Sequence, residues 1–224
     1  HRDLHSFPTR RSSDLAAGFD ALAGKESFTE MNVRVTVSFT GGEYSILICY
    51  IPSSYPTDEM IRTGVRLILY RAERADPAVK ILNSSLRAGV NSELQRRQAY
   101  EALLVNREGL ITEGSRSNVF FIREDGTIVT PPDSMVLSGI TREKIVGLCR
   151  SEGINLIFRP VAEKDLSGFR SLFITGTSPM VLGVHSVEDH HFDVSNPVTD
   201  NLRRLYERMV AGSIGNYKMR NKKY

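Results

Sequence analysis

The chain has 224 residues, 29 basic and 26 acidic side chains and a net charge of +3, with 41% hydrophobic and 25% charged residues. That is the composition of a folded globular protein with room for one large core or two smaller ones. The small net charge leaves no footprint for nucleic acid. Cys49 and Cys149 are too few for a disulfide framework or a zinc site, and no apolar run is long enough to span a bilayer. The expectation is a cytoplasmic protein with no nucleic-acid or membrane partner.

His1 to Leu15, HRDLHSFPTRRSSDL, shows neither helical nor strand periodicity. It matches one reading frame of a common short-read sequencing adapter at every position, so it is expected to be foreign to the fold. Residues 31–40 alternate with many β-branched side chains, and after Gly41-Gly42 residues 44–51 do the same, predicting a hairpin. A short helix is expected over 57–63, a strand over 65–70 and a charged connection over 71–77. A helix follows over 84–97 through Leu86, Val90 and Leu94, then a strand over 100–105 and a turn at 106–109. Residues 117–123 and 127–130 read as a hairpin around Asp125-Gly126. Residues 141–152 form an amphipathic helix through Ile145, Leu148 and Cys149, with Gly153 as its cap. Strands are predicted over 155–158, 171–175 and 181–187, a short helix over 161–166, and a last helix from Asn196-Pro197 to about Met209. Helices and strands without a strict βαβ rhythm indicate an α+β fold.

Four features could carry chemistry. Gly139-Ile140-Thr141-Arg142 opens a helix, whose orphan N–H groups and positive dipole end suit an anion, although Thr141 alone is more often a plain cap. Gly176, Thr177 and Ser178 end a strand in a small-residue turn that permits close backbone approach. Glu113, in Thr-Glu-Gly-Ser-Arg-Ser-Asn, is by itself most simply a solvated turn carboxylate, and Lys80 a solvated lysine. The adjacent His190-His191 lacks an i, i+4 spacing, so no metal site is expected.

Together, the string from Glu101 to Ile122, then Thr130-Pro-Pro, Leu137-Ser-Gly-Ile-Thr-Arg and Phe173-Ile-Thr-Gly-Thr-Ser, resembles the class IV aminotransferases, in order and in spacing. That family includes branched-chain and D-alanine aminotransferases and aminodeoxychorismate lyases. The resemblance implies pyridoxal 5'-phosphate as cofactor. Lys80 would be the Schiff-base lysine and proton carrier, and Glu113, 33 residues later, the partner of the pyridine nitrogen. It further implies that Ile140 and Thr141 hold the phosphate, that Gly176 and Thr177 close the cup and that Leu137 packs on the ring. Arg34 and Ser178 would meet the substrate carboxylate. Amino acids and 2-oxo acids are the implied substrates, and the implied assembly is a homodimer.

The resemblance also implies an organisation. Residues 16–72 are expected to be the remnant of a small N-terminal α/β domain, 73–79 a linker, 80–212 a larger, mixed β-barrel-like cofactor domain with helices, and 213–224 a basic tail. A phosphate-binding arginine upstream of the adapter junction would then be missing, and the chain as written is expected to be inactive or nearly so. Lys80 is followed by Ile-Leu-Asn rather than the Asn-Tyr of branched-chain enzymes, whereas Arg34 favours that group. A lyase of the same fold and a catalytically dead fragment are the alternatives.

Overall fold

The computed structural model describes residues 17–18, 21, 32–41, 43–51, 55–73 and 84–221. The adapter-like string and Lys80 lie outside these residues. The chain divides into two compact units, the first ending at Ser54 and the second beginning at Tyr55.

In the first unit, β1 (Asn32–Thr40) and β2 (Glu43–Ile51) form the expected hairpin, in unbroken register from Asn32 opposite Ile51 to Thr40 opposite Glu43. Gly41 supplies the positive φ, +63°, that a tight hairpin turn needs. Val33, Val35, Val37 and Phe39 share one face of β1 and are 37, 39, 44 and 68% exposed.

The second unit runs α1 (Asp58–Thr63), β3 (Val65–Arg71), α2 (Ser84–Arg97), β4 (Glu101–Val105), β5 (Leu110–Gly114), β6 (Asn118–Ile122) and β7 (Ile128–Thr130). It continues with α3 (Ile140–Ser151), β8 (Leu156–Phe158), β9 (Val161–Ala162), β10 (Ser171–Gly176), β11 (Met180–Val187), β12 (His190–His191) and α4 (Pro197–Asn221). The strands follow the order β8-β7-β6-β10-β11-β3-β4-β5-β9, with β12 on β11. β3 lies parallel to both its neighbours, β4 and β11. The turn at 114–117, closed by the Gly114 N–H on the Ser117 carbonyl at 2.8 Å, joins β5 to β6.

Alternate residues of these strands meet in one apolar interior: Val119 and Phe121, Leu172 and Ile174, Leu182 and Val184, Val65 and Leu67, Leu103 and Val105, and Ile111. The sheet therefore wraps round a filled core, as a small β-barrel does. Its outer face is covered in two places. Phe120 and Phe173, stacked at 5.0 Å, pack with Ile145 and Cys149 of α3 and Leu202 of α4. Ile68, Ala102 and Leu104 pack with Val90 and Leu94 of α2. Burial pushes the Cys149 thiol up to about 11, as suits a cysteine used as a small core group. Mixed strands and helices in this arrangement are the α+β fold expected.

Several elements differ from the sequence reading. β3 was grouped with the N-terminal residues up to 72, yet it pairs with β4 and β11 and buries Leu67 and Ile68 completely, so the units part before α1. β5 escapes notice because its five residues overlap the Thr-Glu-Gly motif. Residues 161–166, read as a helix, split into β9 and a 3-10 turn over Glu163–Gly168. The last helix continues past Met209 to Asn221, so most of the supposed basic tail is helical. His190 and His191 pair with Val187 and Ser186 rather than sitting in a turn, and no metal-ligand cluster occurs among the described residues. Nor is any described helix long and apolar enough to cross a membrane.

A latch ties α2 to this sheet. The Glu188 carboxylate accepts from the Leu69 N–H at 2.6 Å and forms an ion pair with Arg97 at the end of α2. The Arg97 carbonyl in turn accepts from Arg66 of β3 at 2.5 Å. Glu188 holds a φ of +50°, uncommon for a residue with a side chain.

Candidate active site

Glu113, near the end of β5, is only 3% exposed, so the solvated turn carboxylate is ruled out. The Leu137 N–H donates to its Oε2 at 3.2 Å, and the Leu137 carbonyl accepts from Asn118 Nδ2 at 2.8 Å. One residue of the 131–139 segment thus fastens the end of β5 to the start of β6. Arg116, in the turn that follows, donates to Asn91 Oδ1 at 2.9 Å.

The turn between these strands is held by a second buried carboxylate, which the sequence reading missed. Glu101, 5% exposed, accepts from the Ala102 N–H, the Arg116 N–H and the hydroxyls of Ser115 and Ser117, at 2.8, 3.1, 2.6 and 3.2 Å. Charge-assisted bonds of this kind are stronger than neutral ones and leave the loop little freedom. A Cβ at Gly114 would sit 2.0 Å from Ser117 Oγ, so only glycine fits this turn as it stands.

Helix α3 begins beside Asn118. A Cβ on Gly139 would lie 2.5 Å from Asn118 Oδ1, which makes the glycine a condition of the close approach. Gly139 is the N-cap and offers no side-chain cap, while Ser138, next to it, donates to Glu143 at 3.1 Å. The first intrahelical bond runs from the Glu143 N–H to the Gly139 carbonyl, so the N–H groups of Ile140, Thr141 and Arg142 have no helical acceptor. Thr141 stands at the second helical position and is not the cap; its hydroxyl lies 3.3 Å from that of Tyr206 on α4. Ile140 is 77% exposed.

Arg142, 2% exposed, fixes the preceding segment from below. It donates to the Pro131 carbonyl and to Asp133, at 2.9 and 2.5 Å, and its guanidinium lies over the Phe158 ring at 5.6 Å.

The 176–180 turn approaches the same place. Thr175 of β10 is directly opposite Asn118, and a Cβ on Gly176 would be 3.3 Å from the Arg116 carbonyl. Leu137, bonded to Glu113, and Gly139 and Thr175 therefore meet at Asn118, with Gly176 against the nearby Arg116 carbonyl. Thr177 is exposed and Ser178 half-buried. Thr175 is fully buried, and its hydroxyl has no hydrogen-bond partner among the described residues. The sequence assigned no role to Asn118, Thr175, Tyr206, Arg142 or Glu101, although all but Tyr206 fall within the quoted motifs. Alternation in Asn118-Val-Phe120 and Phe173-Ile-Thr175 was the available signal, since it puts Asn118 and Thr175 on the outer face with the two stacked phenylalanines.

Arg34 lies on β1 in the first unit, opposite Cys49. Its contact with substrate remains an expectation of the resemblance, as does the role of Lys80.

Known proteins match this chain in sequence and in fold. A probable branched-chain-amino-acid aminotransferase of Thermotoga maritima is 30% identical over 227 residues, covering 92% of this chain and 80% of that protein. The D-alanine aminotransferase of Bacillus licheniformis is 30% identical over 134 residues, 59% of this chain, and the match spans only about half (47%) of that enzyme. In fold, the structure is similar to the branched-chain aminotransferase of Thermoproteus uzoniensis solved with norvaline. The TM-score is 0.75 at 23% identity, covering 90% of this chain and 72% of that one. The family described as amino-transferase class IV matches residues 10–187. On the motifs, the fold and these matches, the chain belongs to the class IV aminotransferases.

Proposed function

We propose that the protein is a pyridoxal 5'-phosphate-dependent transaminase that moves an amino group from an amino acid, of branched-chain or D-alanine type, to a 2-oxo acid. The observation that carries this reading is the buried Glu113 carboxylate, tied through Leu137 to the segment leading into an uncapped helix N-terminus. A carboxylate for a ring nitrogen and a set of N–H donors for a phosphate are the two ends such a cofactor requires.

The residues present fit the group. The N–H groups of Ile140 and Thr141 lack helical acceptors, Gly139 leaves its N-cap position clear, and the Thr175 hydroxyl is buried without a partner among the described residues. Ile140, Thr141, Gly176 and Thr177 would hold the phosphate and Leu137 would pack on the ring. When bound, the cofactor supplies an electron sink for the pair left as the substrate Cα–H bond breaks. Glu113 would keep the pyridine nitrogen protonated by placing a negative charge beside it. Lys80 would be the amine that attaches the cofactor and would carry the proton taken from Cα. Arg34 and Ser178 would orient the substrate carboxylate. The family resemblance implies a homodimer.

Borohydride treatment of the chain with pyridoxal 5'-phosphate tests the reading, followed by peptide mapping and by assays with L- and D-amino acid donors. A reduced adduct at Lys80 is expected, with 2-oxo acid formed from the donor only slowly, in keeping with a chain expected to be nearly inactive. An adduct elsewhere, or release of pyruvate and aminobenzoate from aminodeoxychorismate without amino transfer, overturns it.

A further inference from the structure

We propose that Tyr206 is a positioning residue: its hydroxyl donates to Thr141 Oγ1 and so turns the Thr141 proton toward an anion at the start of α3. The inference rests on the phosphate reading above and adds to it a residue from α4, 65 positions further along the chain.

The two oxygens are 3.3 Å apart, and either can be the donor. Each hydroxyl has a single proton. If Thr141 gives its proton to Tyr206, an anion at the helix end meets only the threonine lone pairs. If Tyr206 donates, the threonine proton is left to point at the anion. The chain Tyr206 O–H to Thr141 O–H to anion is then directional, and each bond polarises the next. Thr141 is 5% exposed, so water has little access to substitute for the tyrosine.

A second observation, independent of the helix, points to a polar ligand here. Thr175 is directly opposite Asn118 in the β6–β10 ladder, which puts their side chains on one face with Cβ atoms about 4.5–5.5 Å apart. Asn118 Oδ1 is the atom against Gly139. The Thr175 hydroxyl, partnerless among the described residues, is thus buried beside the first turn of α3. A buried hydroxyl with no protein acceptor costs free energy unless something else completes it. The Tyr206 ring packs on the outer core with Leu202 and Val198, a contact that phenylalanine preserves. The hydroxyl can therefore be removed without removing the packing.

The test compares the full chain with Tyr206→Phe for binding of pyridoxal 5'-phosphate and of pyridoxal, which lacks the phosphate. The expected result is about three- to tenfold weaker binding of the phosphorylated ligand, the size of one hydrogen bond, with pyridoxal binding unchanged. In a Thr141→Val background, Tyr206→Phe should add no further loss. Unchanged affinity, equal loss for both ligands, or losses that simply add in the double variant would overturn the proposal. If the unsubstituted chain binds neither ligand, the cofactor reading itself fails. If it binds both equally, the phosphate site fails and the role of Tyr206 with it.

Discussion

The hairpin of the first unit and the barrel of the second are written in the same alphabet. Val33, Val35, Val37 and Phe39 alternate along β1 as Val65 and Leu67 do along β3, or Leu172 and Ile174 along β10. Yet Val37 is 44% exposed, whereas Leu67 and Ile174 are fully buried. Alternation decides which side chains share a face; burial follows only where a sheet closes round that face or a helix covers it. In the barrel both happen, and Phe173 buries its ring on the helix side while its neighbours fill the interior.

The largest test of this contrast is Phe173→Ala. It removes a ring stacked on Phe120 at 5.0 Å in a site with no exposure, and should cost about 3–5 kcal/mol in denaturant unfolding. A loss below about 1 kcal/mol would mean that the outer core is not the support it looks like.

Next in size is Glu188→Gln, which keeps the shape of the latch on Leu69 and Arg97 and removes its charge. About 1–3 kcal/mol is expected, since hydrogen bonds to a charged group are lost. Burial of Glu188 raises its pKa, but the hydrogen bonds from Arg97 and the Leu69 N–H, with the charges of Arg97 and Arg66, outweigh it, and the net shift is downward. A carboxyl depressed in the folded state stabilises fully above its unfolded value, near about 4.3, and loses that contribution as pH falls through the folded value. Acid unfolding curves should accordingly converge for the two proteins below that range and separate above it. Parallel curves would remove Glu188 from the account.

The smallest effect belongs to the hairpin. Val37→Thr keeps strand propensity on an exposed face and should change stability by less than about 0.5 kcal/mol. A loss comparable to that of Phe173→Ala would show that something covers this face in solution, and the contrast between the two units would disappear.

Much of this was legible in the sequence, and the reason the rest was not is physical. The hairpin at 32–51 and the helix at 140–151 were readable because periodicity and turn residues are local signals. Glu113, Ile140, Thr141 and Gly176 were nominated through the family resemblance. Their placement, however, depends on pairings that no local pattern encodes. Asn118 is brought opposite Thr175 by the order of strands in the sheet, and Leu137 reaches Glu113 through a segment without regular structure. The same blindness misplaced β3. Its sequence looks like that of any buried strand, and only its ladder with β11 reveals which unit it serves.

That ladder has a kinetic meaning. Some neighbours in the sheet, such as β4 with β5 or β10 with β11, are close in sequence and can zip up soon after collapse begins. The seam between β3 and β11 joins stretches 119 residues apart, as the bond from Leu69 to Glu188 measures. Closing so long a loop carries an entropy cost before any contact rewards it, and non-local pairing of this kind slows folding. Until the seam forms, β3 has an open flank on which another chain could pair.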